Sequence, residues 1–436
     1  MANRAGTAPE RGAELSPLAR MQAILGGAAG NLVEWYDWFA YSSFALYFAP
    51  HFFPKGDQTA QLLQAAAVFA IGFLARPAGA WLMGLYADWR GRRAALTVSV
   101  AMMSAGSFAI ALIPDYAVIG VGAPALLVAA RLVQGLSLGG EYGASATYMT
   151  EMAGRRRRGL WSSFQFLTLI AGQLCALGVL IVLQGLLPEA DLQRWGWRIP
   201  FAIGGGLAVV VFWIRSGLME TAAFEAVRAS GAARASARLL LRDHPRESLA
   251  ILGLTCAGSL AFYAYTTYMQ KFLVNTAGFP KATATTVTAG ALIVYMLVQP
   301  LVGWASDHVG RRRTLAASFA VGALVTYPAF SLIAATDTPW IAFAVMTALV
   351  VILSGYSAVN AAVKAELFPT HVRALGVALP YAIGNALFGG TAEYVALWFK
   401  DVGHESGFYL YVALTMAAAT VIALRLPDTN AAELET

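Results

Sequence analysis

The stretch Gly84-Leu-Tyr-Ala-Asp88-Trp-Arg-Gly-Arg-Arg93 ends one long apolar run and begins the next, and it returns half a chain later as Gly303-Trp-Ala-Ser-Asp307-His-Val-Gly-Arg-Arg-Arg313. Both copies fit Gly-x-x-x-Asp-x-x-Gly-Arg-Arg, a short polar turn whose glycines let hydrophobic helices approach and whose arginines fix positive charge at one membrane face. Two such turns at matching places in the two halves indicate an internal repeat. A repeated multi-helix unit in a membrane reads as two bundles that rock about a shared site.

Composition agrees. Of 436 residues, 58% are hydrophobic and only 12% are charged, far from the balance of a soluble domain. The net charge of +6 comes from short arginine clusters between apolar runs, which is the pattern of topology control rather than of a nucleic-acid groove. Cys175 and Cys256 lie far apart inside apolar runs, so neither a disulfide framework nor a metal site follows. Residues 1–20 are polar and lack the apolar core of a secretory signal, so the first span is expected to stay in the mature protein.

Stretches long enough to cross a ~30 Å hydrocarbon core recur at 21–49, 62–87, 94–113, 123–150, 159–186, 197–217, 248–274, 283–306, 314–334, 340–366, 374–399 and 407–426. Arginine crowds the turns after every second span, at Arg90, Arg92, Arg93, 155–158, 215–246, 311–313 and Arg373. The opposite loops hold only Lys55, Arg194, Lys281 and Lys400. Both termini are therefore expected in the cytoplasm. The polar stretch at the midpoint reads as a linker. The expected organisation is a cytoplasmic tail 1–20, a six-helix bundle 21–217, a linker 218–247, a second six-helix bundle 248–426 and a tail 427–436. A second echo supports the repeat, since Glu151 and Glu366 each precede an arginine, Arg158 and Arg373, by seven residues. The glycine runs 139–140, 204–206 and 389–390 are expected to serve helix packing.

The paired turns, the polar midpoint and the six-plus-six spans resemble the major facilitator superfamily. Gly30-Asn-Leu-Val-Glu-Trp-Tyr-Asp37, Arg131-Leu-Val-Gln-Gly135, Gly139-Gly-Glu-Tyr-Gly143 and Trp197-Arg-Ile-Pro-Phe201 are similar to its metabolite:proton symporter branch. Phe73-Leu-Ala-Arg-Pro77, residues 140–149, residues 266–278 and Gly389-Gly-Thr-Ala-Glu-Tyr-Val-Ala-Leu397 resemble the members of that branch that carry alpha-ketoglutarate. Tyr86 and Trp89 depart from the usual aliphatic and basic residues of the first turn.

An ionisable side chain at mid-bilayer costs at least ~2.5–3.5 kcal/mol, so each should face a partner or a water-filled path. Glu34 and Asp37 share one face of span one, with Tyr41 a turn beyond. Arg76 lies in span two, and Arg131, Gln134 and Glu141 share a stripe in span four. Arg76 suits a substrate carboxylate because its planar fork binds both oxygens; the alternative is a structural ion pair with Glu34 or Asp37. Asp37, Glu34 and Glu141, near Arg131 or Arg76, are candidates for carrying the proton. The resemblance implies Asp37 facing Arg131, and Arg198 as a second carboxylate contact; a Trp197–Arg198 structural corner is the alternative. Gln173, Tyr263, Tyr268, Tyr356 and Asn385 are further candidate substrate contacts. Gating is expected from Asp88, Arg92, Asp307 and Arg311 of the two turns. A Lys271–Glu393 ion pair is expected to gate the outer side, since spans seven and eleven run the same way.

The resulting expectation is an all-α membrane protein that takes up a small dicarboxylate with protons by alternating access, at the bacterial inner membrane, as a monomer surrounded by lipid. No nucleotide-binding loop, metal cluster or cofactor motif is present, and all five histidines fall outside the expected spans, in the loops that these bounds leave. An enzyme would need a nucleophile with a base or a metal centre. The alternative cargoes are citrate, a ring carboxylate or a zwitterionic osmolyte. The osmolyte carriers that the chain would then resemble bear a long coiled-coil extension, where about ten polar residues follow span twelve here.

Overall fold

The computed structural model describes residues 17–90, 92–137, 157–216, 240 and 242–427, with side chains from Asn31 onward except those of 84, 87–89, 92, 93, 95, 96, 213–216, 370, 371 and 374. Every regular element among these residues is helical. The long helices are α1 (Pro17–Phe52), α2 (Gln58–Arg90), α3 (Arg92–Leu112), α4 (Gly122–Ser137), α5 (Arg158–Leu186) and α6 (Ile199–Ser216) in one half. The other half holds α7 (Pro245–Asn275), α8 (Lys281–Val309), α9 (Arg311–Ala335), α10 (Pro339–Glu366), α11 (Thr370–Gly384, continued by Ala392–Asp401) and α12 (Glu405–Arg425). Seven are long and apolar enough to cross a membrane as they stand, and shorter apolar helices cover Thr97–Leu112, Gly122–Ser137 and Gly196–Phe212. The long α1 and the interrupted α11 complete twelve.

Prolines mark where helices start and bend. Pro245 and Pro339 open α7 and α10, where a missing N–H costs nothing. Pro77 lies inside α2 and has no N–H for the carbonyl of Phe73, which loosens the helix beside Arg76. Two helices widen into π turns, α7 at Tyr263–Tyr268 and α11 at Asn385–Gly389, and α10 breaks briefly before Asn360. Regular apolar periodicity gave no sign of these breaks.

The halves meet along two seams, α5 against α8 and α2 against α11, with one buried apolar cluster running through both. On the α5–α8 seam a Cβ on Gly303 would fall 2.5 Å from the carbonyl of Gly159, and a Cβ on Gly159 only 2.4 Å from that of Gly303. In the second copy of the motif the first glycine thus serves the approach of the opposite half. Within the first half, Gly135 lies against the backbone of Gly72, which brings α4 and its Arg131 onto α2. Of the other glycine runs, Gly204 abuts Asp37 and Gly390 abuts Phe73, and residues 139–140 lie outside those described.

Candidate functional site

Trp38 on α1 is fully buried and carries two guanidiniums over its ring, Arg76 of α2 at 4.1 Å and Arg131 of α4 at 3.9 Å from the centroid. Phe73 and Trp35 complete the wall around Arg76, at 4.0 and 5.2 Å, and Tyr41 lies beneath Arg131 at 4.5 Å. Aromatic faces stabilise a cation without using its N–H groups. Nε and Nη2 of Arg76 have no hydrogen-bond partner among the described residues, nor do those of Arg131. Glu34, buried on α1, and Tyr263 and Tyr381 of the opposite half are the electrostatic neighbours of Arg76. Phe73 meets Tyr263 edge-on at 5.2 Å, so Arg76 stands where the halves touch.

Asp37 sits in a polar pocket of the first half. Ser107 Oγ of α3 donates to one carboxylate oxygen, and Gln134 Nε2 donates to the other at 2.6 Å and to Ser107 Oγ at 2.9 Å. Arg131 Nη1 donates to Gln134 Oε1 at 2.9 Å. Gln134 thus stands between Asp37 and Arg131, because its amide can accept from the cation and donate to the anion at once. Ser107 carried no signal in the sequence, being one serine in an apolar span. Glu141 lies outside the described residues.

Several expected substrate contacts are engaged elsewhere. Arg198 Nη1 donates to the carbonyls of Ala111 and Ile113, and Nη2 donates to Asp115 at 2.7 Å, with His51 on the other Asp115 oxygen at 2.9 Å. Its charge ties a corner at the end of the bundle opposite the arginine clusters, so these N–H groups serve the protein itself rather than a substrate carboxylate. Tyr41 donates its hydroxyl to the carbonyl of Ala65, and Tyr268 donates to Glu405 at 3.3 Å, which also accepts from Thr276. Tyr263 and Asn385 lie together in the two π turns, Tyr356 packs between Phe166 and Phe319, and Gln173 is buried with an Oε1 that has no hydrogen-bond partner among the described residues. Nearby, Lys364 of α10 lies 4.1 Å over the ring of Tyr381.

Both ends of the bundle carry contacts between the halves. At the arginine-rich end the Asp307 carboxylate of α8 accepts from the backbone N–H groups of Gly159 and Leu160 at 2.9 and 3.1 Å, capping α5, and from Arg311 at 2.7 Å. A carboxylate is favoured at a helix N-terminus, where amides and dipole point at it. Glu366 lies between Arg311 and Arg158 at 3.7 and 3.8 Å, and Ser162 Oγ accepts from the N–H of Ala362. The side chains of Asp88 and Arg92, the counterparts in the first half, lie outside the described residues. At the opposite end Lys281 bonds Glu189 at 2.9 Å and Asn275 bonds Thr59. Beside them opens a mouth of about 350 Å³ lined by Tyr47, His51, Gln58, Gln61, Gln193 and Lys281. Lys271 and Glu393 do form an ion pair, at 3.0 Å, but both belong to the second half; the link across to α1 is Ser42, which donates to Glu393 at 3.0 Å and accepts from Lys271.

Two helical halves that join along two seams and enclose buried charges define a multi-pass membrane transporter of the major facilitator fold, not an enzyme. The chain belongs to the sugar (and other) transporter family, whose model matches residues 23–238 and 222–436. It is 50% identical over 409 residues to the alpha-ketoglutarate permease of Escherichia coli, covering 93% of this chain and 94% of that one. The citrate-proton symporter of Klebsiella pneumoniae is 33% identical over 384 residues, with 88% and 86% covered. The proton:xylose symporter XylE shares the fold at a TM-score of 0.74 and 17% identity, over 94% of this chain and 96% of that one.

Proposed function

We propose that this protein takes up alpha-ketoglutarate together with protons across the bacterial inner membrane by alternating access. The observation that carries this reading is the 50% identity to the alpha-ketoglutarate permease along almost the whole of both chains. The site supports it. An aromatic-walled Arg76 whose Nε and Nη2 have no partner among the described residues suits one carboxylate of a small dianion, and Tyr263 and Asn385 of the π turns, with Tyr381 of α11, are assigned as hydroxyl and amide contacts. Gln173 and Tyr356 are assigned to the same surface. Asp37, bridged to Arg131 through Gln134, is assigned the coupling proton, with Glu34 held between it and Arg76 in function.

In this reading the arginine-rich end faces the cytoplasm, with both termini and the linker 218–247, and the monomer is the transporting unit. Asp307, Arg311 and Glu366 then form the inner gate, with Asp88 and Arg92 as its repeat-related counterpart. The mouth beside Lys281 faces outward. Protons are needed on physical grounds: each negative charge moved inward against 100 mV costs about 2.3 kcal/mol, and an unaccompanied dianion about twice that. Counterflow into proteoliposomes against a panel of labelled organic acids and betaines tests the cargo. Exchange of alpha-ketoglutarate is expected; exchange of citrate or a betaine without it would overturn the reading.

A further inference from the structure

Lys271 and Glu393 are buried, with side-chain exposures of 0% and 4%. A gate must join groups that separate when the halves part. These two sit on α7 and α11 of the same half, so rocking leaves them together, and among the described residues the hydroxyl of Ser42 reaches over to them from α1. Ser42 lies one turn beyond Trp38, about 6 Å along the helix, and Trp38 carries Arg76 and Arg131. The pair therefore borders the same small region as the two guanidiniums, on the side towards the mouth lined by His51 and Lys281.

A buried ammonium is strongly disfavoured without an anion beside it. Lys271 has such an anion in Glu393, which belongs to the carrier itself. We propose that Lys271 binds the second carboxylate of the substrate, and that Glu393 holds its place in the empty carrier, taking up a proton when the substrate displaces it. This rests on the dicarboxylate reading above. A proton from solution forms an O–H bond on Glu393, the contact between Glu393 and Lys271 is given up, and a substrate carboxylate oxygen takes its position. The ammonium faces one negative charge before and after, so no lone buried charge arises. Ser42 follows the exchange, its hydroxyl free to donate to either carboxylate.

The surroundings of Glu393 leave Lys271 as its cation. On α7 it faces Lys271 and Tyr268, and on α1 Ser42 and Tyr41. Arg76 of α2 is held in its own aromatic box, Glu405 of α12 is engaged by Lys400, Thr276 and Tyr268, and the remaining charges of these helices, Asp88, Arg90 and Arg425, belong to their arginine-rich ends. Arg76 and Lys271 then hold the two ends of one dianion from different halves, which couples binding to their approach.

The purified protein in detergent is titrated calorimetrically with alpha-ketoglutarate in buffers of different ionisation heat, which counts the protons taken up. Glu393→Gln is expected to take up about one proton fewer per substrate than the parent. A second variant, Lys271→Met with Glu393→Gln, removes both charges together and leaves no lone charge to unfold the protein. It is expected to lose at least about tenfold of the preference for alpha-ketoglutarate over 2-oxopentanoate, which lacks the distal carboxylate. Parental proton uptake in Glu393→Gln, or parental preference in the double variant, overturns the proposal while leaving the cargo reading intact. A parent protein that binds no dicarboxylate overturns both.

Discussion

Trp38 lets two guanidiniums share one small volume. Its ring attracts both cations without consuming their donors, and Glu34 and Asp37 on the same helix supply the counter-charge. What the site gains is an arginine whose fork stays available for an anion. Arg76→Lys keeps the charge but loses the planar, two-point contact, so affinity for alpha-ketoglutarate is expected to fall at least about tenfold. Equilibrium binding to the folded variant measures it, and unchanged affinity removes Arg76 from the site. Asp37→Asn keeps one acceptor oxygen for Ser107 or Gln134, turns the other oxygen into a donor, and cannot carry a proton. Accumulation driven by an imposed pH gradient should vanish, whereas exchange of internal for external substrate persists because exchange needs no return of the empty carrier. A variant that still concentrates substrate would pass the coupling role to another acid.

At the scale of elements, the inner closure is one helix capping another. Asp307 serves two N–H groups of α5, and the glycine pair Gly159 and Gly303 lets the backbones come close enough for it to do so. Asp307→Asn leaves a single good acceptor where two amides need one, and Gly303→Ala places a methyl against the Gly159 carbonyl. Both should shift the population towards a state open at the arginine-rich end, read as faster labelling of a cysteine introduced beneath the gate from the cytoplasmic side. Parental labelling rates in both would remove α8 from the gate. The opposite closure is weaker. The Lys281 ammonium beside Glu189 holds that carboxyl below the usual carboxylate range, so the bond is intact at neutral pH and is lost as the pH falls through that lowered value. Glu189 is about two-thirds exposed, so Glu189→Gln is expected to change outer labelling by no more than a few-fold.

For the whole molecule, charge decides the driving force. With one titrating acid the loaded carrier bears a net negative charge and an inside-negative potential opposes uptake; with Asp37 and Glu393 both protonated the transported complex is neutral. Uptake into proteoliposomes is therefore expected to follow a pH gradient and to ignore a potassium-diffusion potential imposed without one. A clear slowing by inside-negative potential would mean one proton per dianion.

The sequence by itself determined the architecture, because twelve apolar runs and two copies of one turn are local patterns that a bilayer permits to fold in few ways. It also marked Arg76, Asp37, Arg131, Lys271 and Glu393, since a charge inside an apolar run stands out wherever it falls. What it left undecided were the partners. Gln134 between Asp37 and Arg131, Ser107 and Ser42 as the hydroxyls that complete two clusters, and the capping of α5 by Asp307 all join residues far apart in the chain. Arg198 illustrates the converse: its neighbours in sequence are those of a binding motif, yet the end of α3 and the loop after it bring two carbonyls and Asp115 onto it. Spacing along a helix fixes which face a side chain occupies, but only the packing of one helix on another fixes what that face meets.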